Sequence, residues 1–201
     1  YGLWLASMMI ESNSCDRVLL LAGDTLSKVV NKEDSNIAPL FGDAGTATIL
    51  ERSGNIDSYF SLHTDGKKFD TIIQPKGAFR LPSKEQINDG RIFDTTNIRE
   101  LSDLYMDGAA VFSFSIGTEP KAIEDLLSYS NKSKEDIDYI FFHQANKYII
   151  SNIARRLKIP LKKAPSETTG KFGNQSSASI PCTICDVLGP SMEELELDII
   201  L

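Results

Sequence analysis

The sequence predicts an α/β fold built from layers of helices and strands. Stretches with helical periodicity alternate with short apolar runs bounded by turn residues, which is the pattern of helices that cover a sheet. A hydrophobic content of 41% over 201 residues is enough to bury the core of one large domain or two small ones. No repeat of fixed period and no low-complexity tract breaks the alternation. The chain is therefore expected to be globular.

The charge balance limits the partners of the protein. The 28 acidic and 21 basic residues give a net charge of −7, which argues against a general affinity for nucleic acid or for an anionic membrane surface. No apolar run approaches the length of a membrane span, and residues 1–10 lack the charged leader and cleavage site of a signal peptide. We expect a cytoplasmic protein with neither nucleic acid nor membrane as a partner.

The cysteines indicate neither a metal site nor a disulfide framework. Cys15, Cys182 and Cys185 are an odd set, and the Cys-x-x-Cys pair has no second pair or nearby histidine to complete a zinc site. Cys182 and Cys185 follow Pro181 in an apolar segment that predicts a buried helix, where thiols pack as small hydrophobic groups. No metal is expected.

The first quarter of the chain predicts one helix and two strands. Residues 3–12 have helical periodicity, and residues 17–22 form a short apolar run typical of a buried parallel strand. Residues 41–45 are rich in small residues, which indicates close backbone packing, and they lead into a predicted strand at 46–51. After a turn, residues 56–63 alternate as a strand that begins a new unit.

The remaining elements alternate in the same way. Residues 67–94 are polar and predict a surface excursion, and residues 103–128 predict one long helix or two helices broken near 117–120, where Pro120 lies. A short run at 137–142 is interpreted as a strand despite the capping-like residues before it. Two helices complete the pattern, at 146–157 and 176–188.

Two uncharged hydrogen-bonding residues stand before the last two predicted helices. His143 ends a predicted strand, where open α/β sheets present functional groups, and Asn174 follows Gly173 in a turn. A neutral imidazole and an amide can both donate to a carbonyl oxygen, so the pair could form an oxyanion hole. Such a pair would stabilise the enolate formed when a malonyl group loses carbon dioxide. The alternative is that both are buried polar residues satisfied by backbone groups.

Several other chemistries lack their motifs. The chain has no Gly-x-Ser-x-Gly elbow, no Gly-x-Gly-x-x-Gly segment and no phosphate loop with Gly-Lys-Ser/Thr. His63 precedes a Thr-Asp-Gly turn and is expected to be structural or exposed. A serine triad and nucleotide hydrolysis are therefore disfavoured.

The order of these segments resembles β-ketoacyl-acyl-carrier-protein synthase III and its relatives among the thiolase-like condensing enzymes. Residues 41–45 resemble the family's Phe-Gly-Asp-Gly-Ala-Gly, residues 143–146 match its histidine motif, and residues 173–181 resemble Gly-Asn-Thr-Ser-Ala-Ala-Ser-Val-Pro. Residues 106–112 resemble its Met-x-Gly-x-x-Val-Phe helix beside the acyl and pantetheine tunnel. The resemblance covers essentially the whole chain.

The resemblance implies an incomplete copy of a thiolase-like layered fold, α-β-α-β-α in the intact enzyme. Residues 1–53 would end the first half and residues 54–201 would make most of the second. The family uses a Cys-His-Asn set, of which His143 and Asn174 match the last two members. The nucleophilic cysteine is expected upstream of Tyr1, so the isolated piece is expected to be inactive.

The resemblance also implies substrates and partners. Acyl-CoA and malonyl-acyl-carrier protein would be the substrates, no cofactor would be needed, and the intact protein would be a homodimer. Two positions depart from the family pattern. Ala109 stands where the family often has asparagine, and the family's arginine that contacts CoA is replaced near Ser35. Both departures weaken the implication of acyl-CoA use. Two further groups carry the expected roles: substrate binding by Gly108, Ala109, Phe112 and Asn146, and carrier-protein docking by Lys147, Arg155 and Arg156.

Other functions remain open at this point. The basic residues could simply be the solvated face of a helix. Relatives with the same nucleophile and histidine transfer acyl groups to oxygen or nitrogen acceptors or make hydroxymethylglutaryl-type products. A non-catalytic subunit resembling a chain-length factor would keep the fold for pairing.

Overall fold

The computed structural model describes residues 1–54, 57–77, 101–189 and 195–201. The polar excursion predicted for 67–94 therefore lies largely outside the described residues. Its described part contains a short 3-10 turn, Phe69–Thr71, and a two-residue strand β3, Ile72–Ile73, which pairs antiparallel with β4, Tyr105–Met106. Residues 57–66 form neither helix nor strand, so the strand predicted at 56–63 is wrong for all of its described residues.

The first helix and two strands form a small antiparallel unit. Helix α1 spans Gly2–Glu11, β1 spans Arg17–Asp24 and β2 spans Ala44–Glu51. The strands pair antiparallel along their full length, with Leu19 opposite Ile49. The connection between the two strands contains two 3-10 turns and no α-helix.

β1 is not buried on both sides. One face of the β1–β2 pair packs toward α1, where Gly2 lies against the side chain of Leu20. The other face presents Leu19, Leu21 and Ile49, which are 58%, 69% and 64% exposed. The prediction of a buried parallel strand is therefore wrong in direction and in burial.

Helix α2 runs without a break over Gly108–Ser130. Asp107 caps its start, because the Asp107 carboxylate accepts from the backbone N–H of Ala110 at 2.9 Å. Pro120 lacks the N–H that would bond to the Ile116 carbonyl four residues earlier. The guanidinium of Arg156 donates to that carbonyl at 2.9 Å instead. This external donor satisfies the group that proline leaves open, and of the two predicted alternatives the single helix is confirmed.

The main hydrophobic core lies between α2 and helix α3, which spans Lys147–Leu157. Strand β5, Tyr139–Ile140, pairs parallel with β6, Ile199–Ile200, beside this core. The strand predicted at 137–142 is thus shorter than expected. The buried members of the core share aliphatic or aromatic side chains: Ile123, Leu127, Ile137, Ile140, Phe142, Ile149, Ile150, Ile153, Ala154, Leu157, Ile159, Ala164 and Ile200.

The last helical region is divided. A short helix α4, Thr168–Phe172, is followed by a 3-10 turn, Ser176–Ala178, and then by α5, Ser179–Leu188. On α5 Cys182 is half-buried and Cys185 is exposed, so the prediction that both thiols pack in a buried helix is wrong for Cys185. Within the described ranges, no cluster of potential metal ligands occurs and no helix is long and apolar enough to cross a membrane.

Candidate active site

Two Phe-Gly segments that are far apart in the sequence pair through their backbones. The N–H of Asn174 donates to the Leu40 carbonyl at 2.7 Å, and the N–H of Gly42 donates to the Asn174 carbonyl at 3.0 Å. Phe41 and Asn174 form an isolated parallel bridge. The main chain of Asn174 is therefore held independently of its side chain.

The close approach requires glycine in both segments. A Cβ at Gly42 would lie 1.9 Å from the carbonyl oxygen of Phe172, far inside van der Waals contact. Gly173 has φ 71°, in the left-handed region, and a Cβ there would lie 3.0 Å from the Leu40 oxygen. This contact confirms the close backbone packing predicted for residues 41–45.

The side chain of Asn174 is fixed by the turn that follows it. Its Oδ1 accepts from the backbone N–H of Ser176 at 2.9 Å, which identifies the outer atom as the amide nitrogen Nδ2. Ser176 has φ 51°, a left-handed conformation that few non-glycine residues adopt. Nδ2 makes no hydrogen bond to any part of the chain that the structure describes, so its two hydrogens can serve a ligand.

His143 lies just after β5 and faces the same turn. Its Nδ1 lies 2.8 Å from Oγ of Ser179, the first residue of α5. The residue as a whole is exposed. Packing around the ring nevertheless removes enough water to lower the pKa of His143 below 6.5. A hydrogen bond with the Ser176 backbone raises the pKa and so opposes part of this shift. The imidazole is therefore mainly neutral near pH 7.

Ser176 connects the two candidate residues, because its backbone contacts both the His143 ring and the Asn174 amide. The neighbouring Ser177 is held from the other part of the chain. Asp24, at the end of β1, accepts from the Ser177 N–H at 3.1 Å and from its hydroxyl at 2.6 Å. The Ser177 hydroxyl and N–H, together with Ser176, lower the pKa of the Asp24 carboxyl. The segment 176–179 thus contacts both candidate donors, His143 through Ser179 and Asn174 through Ser176.

Two family models match this chain. A family model described as 3-oxoacyl-[acyl-carrier-protein (ACP)] synthase III matches residues 1–66, and the model of the C-terminal part of the same family matches residues 127–190. The chain belongs to the 3-oxoacyl-[acyl-carrier-protein] synthase III family. The family and the α/β thiolase-like fold predicted from the sequence are both confirmed.

Individual relatives of this synthase III family match nearly the whole chain. A putative 3-oxoacyl-[acyl-carrier-protein] synthase 3 from Campylobacter jejuni is 38% identical over 190 residues, which cover 94% of this chain and 54% of the relative. A β-ketoacyl-[acyl-carrier-protein] synthase III from Streptococcus pyogenes is 33% identical over 189 residues, covering 94% and 55%. The crystal structure of a 3-oxoacyl-(acyl-carrier protein) synthase from Burkholderia xenovorans LB400 superposes with a TM-score of 0.83 at 31% identity, covering 98% of this chain and 55% of that one. The chain spans about half the length of these relatives.

The residues expected to bind substrate are spread over two helices of this synthase III chain. Gly108 and Ala109 are exposed at the start of α2. Phe112, one turn later, stacks on Tyr148 of α3 with ring centroids 5.2 Å apart. Asn146 caps α3, because its Oδ1 accepts from the backbone N–H of Ile149 at 2.9 Å. Their predicted role in substrate binding stays a prediction.

The three basic residues expected to dock a carrier protein have different surroundings. Lys147 forms an ion pair with Glu167 at 2.7 Å, and Arg156 donates to the α2 backbone as described above. Arg155 is exposed and has no hydrogen bond or ion pair with the described part of the chain. Arg155 is therefore the most available of the three cations for a partner.

Sequence reasoning missed the residues that support the site. Asp24 gave no signal, and Ser179 lay in the motif at 173–181 without an assigned role, because their partners Ser177 and His143 are distant in the sequence. Gln144, the second residue of the histidine motif, is fully buried, and its amide donates to the carbonyls of Phe142 and Pro165 at 3.0 and 3.2 Å. The small polar residues at 176–179 were visible in the sequence, but their pattern does not specify which side chain each one contacts.

Proposed function

We propose that the protein acts in a decarboxylative Claisen condensation, with His143 and Asn174 binding the thioester carbonyl of a malonyl group. The observation that carries this proposal is that one short segment, residues 176–179, contacts both side chains: the Ser176 N–H donates to Asn174, and Ser179 Oγ lies 2.8 Å from His143 Nδ1. Membership in the 3-oxoacyl-[acyl-carrier-protein] synthase III family supports the same chemistry.

Two neutral donors suit the decarboxylation step. When the bond between the malonyl methylene carbon and its carboxylate breaks, carbon dioxide leaves and the electron pair forms an enolate with negative charge on the thioester oxygen. Nε2–H of His143 and Nδ2–H of Asn174 would stabilise that oxygen more strongly than the uncharged ground-state carbonyl. Neither donor has to lose a proton, so the step needs no strong base.

The condensation needs an acyl group on a nucleophile. In the proposed reaction a cysteine thiolate takes the acyl group from acyl-CoA and releases CoA as its thiolate; the enolate carbon then attacks the acyl carbonyl and the cysteine leaves as thiolate. None of the three cysteines of this chain fits that role. The thiol of Cys182 is half-buried beside the Gln175 amide, and Cys15 and Cys185 have no hydrogen bond to His143 in the described structure.

The malonyl group would be delivered by an acyl carrier protein, which we expect to be acidic. Of the three candidate cations, Arg155 is the exposed one without a hydrogen bond or ion pair among the described residues, so Arg155→Glu should raise KM for malonyl-carrier protein and leave KM for malonyl-CoA unchanged. Lys121→Glu is the matched control, because Lys121 is also exposed but lies on α2 and pairs with Asp125 at 3.1 Å. An equal effect of both substitutions, or no effect of Arg155→Glu, would contradict docking at α3.

The function is tested on the intact protein with two measurements. Intact mass after incubation with short acyl-CoAs, followed by peptide mapping, should find the acyl group on a cysteine upstream of Tyr1. Release of carbon dioxide from a malonyl thioester should fall by about 100-fold in His143→Ala and in Asn174→Asp. The aspartate keeps the oxygen that accepts from Ser176 and removes the Nδ2 donor.

His63→Ala serves as the control, because the one hydrogen bond of His63 within the described residues is to the exposed Ser61. Acylation without carbon dioxide release would overturn condensation and favour acyl transfer to another acceptor. Neither acylation nor decarboxylation would favour a non-catalytic subunit.

A further inference from the structure

We propose that Ser179 is a positioning residue that holds His143 in the tautomer with its hydrogen on Nε2, by donating its own hydroxyl hydrogen to Nδ1. The inference rests on the proposed function for its catalytic consequence, but the tautomer itself can be measured without activity.

The hydrogen-bond requirements of the buried hydroxyl determine its direction. Ser179 has no exposed surface, so its hydroxyl hydrogen must find an acceptor in the protein. Oγ lies 2.8 Å from Nδ1 of His143 and 3.3 Å from the backbone N–H of Gln144. The N–H of Gln144 can only donate, so it occupies an acceptor position of Oγ. Of these two atoms within hydrogen-bonding distance of Oγ, Nδ1 is therefore the one that can accept the hydroxyl hydrogen.

The position of Ser179 is itself fixed. Its backbone carbonyl accepts from the hydroxyl of Thr183 at 2.7 Å, and Thr183 is also fully buried. Ser179 is the first residue of α5, and its Oγ is held by its contacts with His143 and with the Gln144 N–H. A neutral serine also differs from the carboxylate that often orients a catalytic histidine, because a carboxylate favours the charged imidazolium whereas a hydroxyl leaves the ring neutral.

The assignment has a direct consequence for the oxyanion hole. A neutral imidazole carries one N–H, and with Nδ1 as acceptor the hydrogen must be on Nε2. Nε2 is then a donor toward the thioester oxygen. If Nδ1 carried the hydrogen, Nε2 would present a lone pair to the developing negative charge and would repel it.

The tautomer is tested by nitrogen-15 NMR of the intact protein labelled at histidine, with His143→Ala identifying the signals of this ring. The wild type should show a pyridine-type Nδ1 and a pyrrole-type Nε2–H. Ser179→Ala should move population to the Nδ1–H form, and kcat for malonyl decarboxylation should fall about tenfold with KM nearly unchanged. Ser179→Thr, which keeps the hydroxyl, should restore the wild-type tautomer. Ser166→Ala is the control, because Ser166 is a buried serine outside the contacts of the ring.

A pyrrole-type Nδ1 in the wild type would overturn the proposal, as would a Ser179→Ala variant with unchanged tautomer and unchanged kcat. If the wild type releases no carbon dioxide from a malonyl thioester, the proposed function fails while the NMR spectra still decide the tautomer.

Discussion

At the scale of single residues, backbone contacts around Asn174 place stricter demands on the sequence than its side chain does. Gly42 is the clearest case, since a methyl group there would overlap the Phe172 carbonyl oxygen. The sequence showed that the first Phe-Gly segment, at residues 41–45, is rich in small residues and predicted close backbone packing there. It did not reveal that the partner is the second Phe-Gly segment, because a backbone pairing leaves no periodic pattern in either one.

The first prediction concerns this contact. Gly42→Ala should lower the free energy of unfolding by roughly 3 kcal/mol, because neither backbone can yield without breaking the bonds to Asn174. Urea denaturation measures the change. Gly45→Ala is the matched control three residues away, where nothing lies within 4 Å of the added Cβ. Similar losses in the two variants would show that the segment relaxes and that the contact is not close.

The second prediction concerns His143 and pH. Packing lowers the pKa of His143 in the folded protein below the 6.5 of an ordinary histidine, so the unfolded state takes up the proton first as pH falls. The contribution of His143 to stability should therefore be constant above about pH 6.5 and should decline as pH falls from there through the lowered folded pKa. The difference in unfolding free energy between wild type and His143→Ala, measured at a series of pH values, isolates this contribution. A difference that grows with acidification would contradict the lowered pKa.

At the scale of helices and strands, Pro120 and Arg156 show how a sequence rule is overridden. A proline in a helix interior predicts a break, and the sequence left one helix or two as alternatives. The structure keeps one helix because a donor from α3 fills the carbonyl position that proline opens. That donor lies 40 residues away, so local pattern could not decide between the alternatives.

The third prediction is a coupling between these two residues. Arg156→Ala should cost about 0.5–1 kcal/mol of stability through the lost hydrogen bond to the Ile116 carbonyl, which is partly exposed. In a Pro120→Ala background the restored N–H can bond to Ile116 itself, so Arg156→Ala should then cost almost nothing. A double-mutant cycle in urea gives the coupling, with Arg155→Ala as the control. Equal costs in both backgrounds would rule out this role for Arg156.

The strands were predicted less well than the helices. The apolar run at 17–22 suited a buried parallel strand, but its direction depends on the connection to β2, and its burial depends on what covers the face with Leu19 and Leu21. Neither the direction nor the burial of the strand can be predicted from the residues of the run alone. The helices at α1, α3 and α5 were predicted more closely because their periodicity and caps are local features.

At the scale of the whole molecule, Asp24 joins the first antiparallel unit to the turn that carries the site. Its carboxylate holds both the N–H and the hydroxyl of Ser177 across 153 positions of sequence. Asp43 makes an analogous pair of contacts with Ser27, at 2.8 and 2.5 Å, but within the first unit. We call each carboxylate with its two serine hydrogen bonds a clamp. Asp24 then forms a clamp between distant parts of the sequence, and Asp43 forms a local one with which it can be compared.

The fourth prediction uses that comparison. Asp24→Ala should increase the hydrogen-exchange rates of the Ser176 and Ser177 amides, whereas Asp43→Ala should increase exchange at Ser27 and leave Ser177 protected. The Ser177 contacts lower the pKa of Asp24, so this clamp is present above the ordinary value of about 3.9 and is lost as pH falls through the lower folded value. Exchange measured by NMR in both variants checks the assignment. Unchanged exchange at Ser177 in Asp24→Ala would show that α5 alone holds the turn.

The long sequence separation of these contacts has a consequence for how the protein gains and loses its function. Closing a loop of this length costs entropy before any bond across it forms, whereas α2 and α3 can dock through contacts that are nearer in sequence. The turn around Ser176 is therefore expected to assemble after the helical core during folding and to open before it during denaturation. Helix content would persist in molecules in which the turn at the candidate site has already opened. A circular dichroism signal would therefore overstate the fraction of molecules with an intact site.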